Sequence, residues 1–402
     1  MDFSSTMVSL TGLFNRIPEF VQNTAYAKYV EYWPIFLIGF LTALFITPIL
    51  GYIALKSNIT YIPKKGRGER AFDNPLKALH EGITPSLGGL AITLPAFIAI
   101  LVFFKIDSFT LPILISLFIL IVGATLDDIL NLPAKVQLLY QIVAAGIIAF
   151  SILNITSIPF FNIDLSSLTY NFSIFGIEQS LALPGDIFLF FWILVCINAV
   201  KWTAGSPGII EANSFVIFSL IFVIAMRDVS IFSSTVSILI AGGLLAFLIF
   251  AFPPQKIMTG SAGKSVYGFL ICILAIVADA KVSTTVMLLI LPLIDFIYVI
   301  IKRLLTHKPK SIGDLMKLSG PDHLHHQLMD LNLSRSQLVL IEMAVTLFLG
   351  SFAILTTGAI RYFTLTISLA LGIGFIVYIN VRASKKKKEQ EKSESPESKY
   401  SY

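Results

Sequence analysis

Eleven apolar runs, most of them close to 20 residues long, dominate this 402-residue chain: 34–55, 87–104, 110–126, 136–155, 186–202, 214–227, 233–253, 265–280, 284–301, 336–357 and 363–381. A helix needs about 20 apolar residues to cross a bilayer's hydrocarbon core. Backbone polar groups in that core must be satisfied internally, which leaves helices or a closed barrel as spanning structures. The expected fold is therefore an all-α polytopic membrane protein with about 11 transmembrane helices. Only 13% of the residues are charged, against 56% hydrophobic and a mean hydropathy of +0.84. That balance excludes most water-soluble enzymes and any fibrous or disordered class. Cys196 and Cys272 both lie inside apolar runs, as small core residues rather than a disulfide.

The net charge of +5 is not a nucleic-acid signal, because the cations flank the apolar runs. With 56–86 placed in the cytoplasm and the sides alternating, 23 of the 29 Lys and Arg fall on the cytoplasmic side. The positive-inside rule then sets the N-terminus outside and the C-terminus inside. The expected organisation is an extracytoplasmic segment 1–33, a membrane domain 34–381 and a disordered, basic cytoplasmic tail 382–402. Residues 156–185 lack Lys and Arg and alternate apolar with polar positions, which suggests a hairpin or an interfacial flap on the outer side.

Polar chemistry collects on the face placed in the cytoplasm. All five histidines (His80, His307, His323, His325, His326) fall there, as does Asp127–Asp128 at the end of the third run. Carboxylates at a helix C-terminus oppose the macrodipole and so favour a nearby cation. Mg²⁺ suits such a pair, since it takes one or two carboxylates together with phosphate oxygens; simple hydration at the interface is the alternative. In H-L-H-H, helical spacing puts His323 and His326 on one face and His325 on another. Imidazoles among cations suit a phosphate-bearing substrate. Asp295 lies inside an apolar run, where an acid demands a partner, structural or catalytic.

Taken together, these motifs resemble the polyprenyl-phosphate N-acetylhexosamine-1-phosphate transferases, over about residues 60 to 357 and in that family's order. H-E-G-I-T-P-S-L-G-G-L-A-I (His80 to Ile92, with Thr84) is similar to its first cytoplasmic loop. Asp127–Asp128 with Lys135 is similar to its metal and lipid-phosphate motif, and L-P-L-I-D (Leu291 to Asp295) with Arg303 to a late span. H-L-H-H-Q-L and the L-N-L-S-R-S-Q after it are closer to the branch that uses UDP-N-acetylglucosamine than to the pentapeptide-muramoyl branch.

Two stretches depart from the family pattern. Where N-x-x-N-x-x-D-G-x-D-G is usual, Asn198, Gly205 and Gly208 remain, but the second Asn is Lys201 and the two Asp are Ala204 and Pro207. Where M-G-D-x-G-S is usual, the chain reads T-G-S-A-G-K, so the metal-binding acid is Ser261 and Lys264 follows it.

The resemblance implies transfer of a UDP-activated amino-sugar phosphate to a polyprenyl phosphate, with release of UMP, at the cytoplasmic face of the inner membrane. It implies Mg²⁺ held by Asp127 and Asp128, weakened or absent where Ser261 replaces the acid. Asp127, Asp128, His323, His325 and His326 are the expected catalytic set. His80, Thr84, Lys135, Asn198, Lys201, Gly205, Gly208, Ser261, Lys264 and Arg303 are expected to contact substrate, with Lys201 and Lys264 supplying fixed positive charge in the two altered motifs. The expected partners are the UDP-amino sugar, the polyprenyl phosphate, the bilayer and a second copy in a homodimer, with no nucleic acid. A non-catalytic relative that binds lipid or protein is the alternative, ahead of a transporter.

Overall fold

The computed structural model describes residues 27–61, 83–151, 153, 157–158, 163–165, 168–174, 176–279, 282–311, 314–315, 318, 322–358 and 360–394. Among the described residues, after a single turn at Ala27–Val30, the helices are α1 Trp33–Lys56, α2 Leu90–Phe103, α3 Thr110–Leu130, α4 Ala134–Ala149, α5 Gly185–Thr203, α6 Ile209–Arg227, α7 Ile231–Ala251, α8 Gly260–Asp279, α9 Val282–Leu288, α10 Ile290–His307, α11 Leu324–Asp330, α12 Arg335–Leu355 and α13 Ile360–Glu394.

Each apolar run of the sequence is occupied by helix, but the runs are not equivalent. Among the described residues eight helices are long and apolar enough to cross a membrane, or up to nine if α9 and α10 form one bent span. α2 and α4, at 14 and 16 residues, fall short of that length. The run at 284–301 is broken, with α9 and α10 meeting at 81°. Pro292 explains the break, because it has no N–H to bond back to Leu288.

α8 is the most buried candidate span, and it packs against α3, α5, α6 and α7. α1 lies against α7 at one edge, and α13 against α10, α11 and α12 at the other. Their outward faces carry exposed Phe45, Ile49, Tyr52, Phe363 and Val377, as lipid-facing surfaces should. One large apolar cluster fills the centre, and a smaller one, including Leu291, Leu324, Leu328 and Leu338, floors α11. Arg361 is fully buried and donates to Thr356 O and Thr284 Oγ1, tying α13 to α9.

Short antiparallel pairs complete the fold: β1 Thr60–Tyr61 with β2 Thr84–Pro85, and β3 Ser157–Ile158 with β4 Ile163–Asp164. A longer hairpin pairs β5 Leu168–Ile174 with β6 Ile177–Leu183 inside the segment whose alternation suggests one. Helix α13 continues through 382–394, where a disordered tail is expected. Lys, Glu and Gln there are good helix formers and extend a helix already nucleated in the bundle. Residues 395–402, like His80 and most of 1–33, lie outside the described residues.

Candidate active site

The C-terminus of α3 meets the N-terminus of α8. Asp127 and Asp128 are both buried at this junction. Asp128 takes the Ser261 N–H at 2.9 Å on Oδ1 and 2.8 Å on Oδ2, with the Ala262 N–H at 3.3 Å. Asp127 accepts the Ser261 hydroxyl at 2.5 Å on Oδ2, and on Oδ1 the Leu132 N–H at 3.0 Å and Gln137 Nε2 at 2.8 Å. The charge that the twin acids require at the negative end of α3 is thus met by the positive end of α8.

The loop before α8 is held against the segment entering α2. Met258 donates to Pro85 O at 2.8 Å, and Gly88 and Gly89 donate to Met258 O and Thr259 O. Thr84 is buried in β2 beside this seam. Thr259 donates its hydroxyl to Glu211 on the first turn of α6, and Lys264, one turn into α8, is within electrostatic reach of Glu211. Lys201 donates to Gln137, which relays it to Asp127, and Asn198 donates to Gln141 Oε1 at 2.9 Å. Lys135 is exposed on the first turn of α4.

The histidines form a second cluster on the far side of the α5 C-terminus. Asp295 Oδ2 lies 2.8 Å from His323 Nδ1, and Oδ1 accepts the Leu324 N–H at 2.8 Å. One buried carboxylate therefore caps α11 and orients the preceding imidazole. This corrects the helical reading of H-L-H-H: His323 is the extended N-cap residue rather than part of the helix. Its ring stacks parallel on His325 at 5.6 Å, and His325 meets His326 at 4.4 Å. Trp202 stands edge-on to His323 and under the Arg303 guanidinium, 5.4 Å from its ring. Arg303 itself is buried and directed at Leu318 O and Asp322. Gly205 lies against the His325 ring with no space for a side chain, and Gly208 caps α6 with a positive φ.

His325 is buried, and burial first, then the charges of His326 and His323, hold its pKa well below the ordinary 6.5. Below about pH 6.5 the unfolded chain gains a proton that the folded chain refuses, so folded stability is complete above that pH and falls as pH drops past it. Thermal melts of detergent-solubilised protein from about pH 8 to about pH 5 are expected to show this loss. His325→Asn is expected to flatten it. An identical pH slope in the variant would show that His325 is not its source.

A cavity about the size of one water lies behind the histidines, lined by Thr203, Asn213, Asp295, His325 and Glu342 among others. Glu342 accepts from Asn213 at 3.3 Å, and Asn213 accepts from Thr346 at 3.2 Å. Sequence reasoning missed Glu342, although an acid inside an apolar run was the signal that had identified Asp295. It also missed Gln137 and Trp202, whose roles depend on partners distant in sequence. The S-R-S-Q after the histidines proves to be a capping box, Ser334 with Gln337, that starts α12.

The chain matches the family model for glycosyl transferase family 4 over residues 109–279, from the start of α3 to the end of α8. It is also 30% identical over 345 residues to the Bacillus subtilis (strain 168) protein named "Probable undecaprenyl-phosphate N-acetylglucosaminyl 1-phosphate transferase", covering 83% of this chain and 87% of that one. The chain belongs to glycosyl transferase family 4. Two other relatives are named phospho-N-acetylmuramoyl-pentapeptide-transferases. The one from Leuconostoc citreum is 31% identical over 46% of this chain and 59% of its own. The one from Carboxydothermus hydrogenoformans is 26% identical over 74% of this chain and 93% of its own.

Mg²⁺, which the family-4 resemblance implies, does not fit the residues at the α3–α8 junction. Asp127 Oδ1 and Asp128 Oδ2 each accept two hydrogen bonds and the other two carboxylate oxygens one each, and at 261, where the family pattern has an acid, Ser261 supplies only a neutral hydroxyl committed to Asp127. Among the described residues no group of three or more His, Cys, Asp or Glu is arranged to hold a metal ion.

Proposed function

We propose that this family-4 protein transfers an N-acetylhexosamine-1-phosphate from its UDP-activated form to a polyprenyl phosphate, releasing UMP, in cell-envelope precursor synthesis. UDP-N-acetylglucosamine is the proposed donor, and the cytoplasmic face of the cytoplasmic membrane the proposed location. One observation carries the reading: residues 127–128, 201–205, 259–264, 295 and 323–326, far apart in sequence, gather around the end of α5 at one end of the bundle. Lys201 reaches the acid cluster, while its neighbour Trp202 reaches the histidines.

In this reaction an oxygen of the lipid phosphate attacks the phosphorus next to the sugar, and the bond from that phosphorus to the UMP oxygen breaks. Negative charge only moves from one phosphate to another, so no net proton transfer is needed. Positioning and charge neutralisation do most of the work in such a transfer. Asp295 holds His323 Nδ1, leaving Nε2 directed away to meet a phosphate oxygen. Trp202 and the parallel His325 ring restrict that imidazole to one orientation. Lys201 and Lys264 supply fixed positive charge beside Asp127 and Glu211.

Exchange of labelled UMP into UDP-N-acetylglucosamine in the presence of undecaprenyl phosphate tests the proposal. Wild type is expected to exchange, and His323→Ala to lose about 10²-fold or more. A second reading has specific support in Ser261 and the engaged acids: a lipid-binding relative without catalysis. It predicts no exchange in wild type, with undecaprenyl phosphate still bound.

A further inference from the structure

Building on the transferase reading, we infer that the N-terminus of α8 and the Ser261 hydroxyl do for Asp127 and Asp128 what a divalent ion would otherwise do, so that the reaction runs without one. Asp128 binds the first free N–H groups of α8 through both oxygens, while Asp127 is fixed by a hydroxyl, a main-chain N–H and an amide. Mg²⁺ demands near-octahedral oxygen ligands at about 2.0–2.1 Å. Bringing it to these carboxylates would compete with the bonds that seat α8 and would set a dication against that helix's positive end.

The residue at 261 decides the balance. An acid there would add a third carboxylate at the helix start and pull the pair toward a metal. Serine instead donates to Asp127 with its side chain and to Asp128 with its backbone. Gly260 completes the arrangement: its φ of +69° turns the chain so that Asp128 can lie over the helix start, 2.5 Å from where a Cβ would project. Glu211 does not restore the missing ligand: it accepts the Thr259 hydroxyl on one oxygen, and although its Oε2 is buried with no hydrogen-bond partner, Glu211 is not grouped with Asp127 and Asp128 as metal ligands would be among the described residues. The phosphates are then met by Lys264 and Lys201, cations carried by the chain itself.

Mn²⁺ titration of the full-length protein in detergent without nucleotide, with free Mn²⁺ read by electron paramagnetic resonance, tests this apart from activity. Wild type is expected to show no stoichiometric binding below millimolar Mn²⁺. Ser261→Asp is expected to bind about tenfold tighter or more. One Mn²⁺ per wild-type chain, lost in Asp128→Asn, overturns the inference. If Ser261→Asp does not fold, the wild-type titration decides alone, together with a wild-type melting temperature expected to be equal in EDTA and in Mg²⁺. UMP exchange is expected to persist undiminished in excess EDTA, and a strict requirement for Mg²⁺ would overturn the inference. Absence of exchange in both conditions would end the transferase reading, and the Mn²⁺ titration would still uphold or overturn the role of α8.

Discussion

Gly260→Ala is expected to lower stability by about 2.5–5 kcal/mol. Two causes add. The backbone at 260 is left-handed, with φ +69°, which costs an alanine about 1–2 kcal/mol. The new methyl would also overlap Ser86 O and press on the Asp128 carboxylate. Loosening that carboxylate from the Ser261 and Ala262 N–H groups costs roughly a further 1.5–3 kcal/mol, as for other hydrogen bonds to buried charge. Asp128→Ala should show the second cost without the first. Thermal melts and folded yield of the two variants measure the difference. Equal melting of Gly260→Ala and wild type would mean that the α3–α8 junction does not hold the bundle's end together.

Gly205→Ala is expected to act on activity rather than folding. Its Cβ would fall on the Nε2 and Cε1 atoms of His325, a buried ring with the water-sized cavity behind it as space to shift into. The ring must move, and its parallel stack on His323 moves with it. A displacement of about 1 Å at such a site costs about 10²-fold in rate. UMP exchange by Gly205→Ala should fall by that factor while the melting temperature stays near wild type. Full exchange would show that the His325 position is irrelevant to the chemistry.

These two glycines illustrate what could be read from the chain and what could not. The helices were legible because the bilayer imposes a length and a composition that any sequence must obey. The candidate residues were legible as types: Asp127, Asp128, Asp295 and the histidines stand out against apolar surroundings. Their partners were not. Asp128 and Ser261 are 133 residues apart, and nothing local announces that one caps the helix of the other. The dipole argument correctly required positive charge beside the twin acids, but a helix N-terminus leaves no mark in composition and a metal was the visible candidate. The pairing of His323 with His325 rather than His326 likewise depends on where α11 begins, which Asp295 decides from another helix. The bend between α9 and α10 was foreshadowed by Pro292, inside a run otherwise uniform enough to read as one span.

Helix α13 has a different consequence. Its 35 residues measure about 52 Å against a hydrocarbon slab of about 30 Å, so its last turns rise from the bundle as a stiff mast. A fluorophore fixed near Lys387 would tumble with the whole protein–lipid particle, and its anisotropy would gauge particle size instead of local wobble.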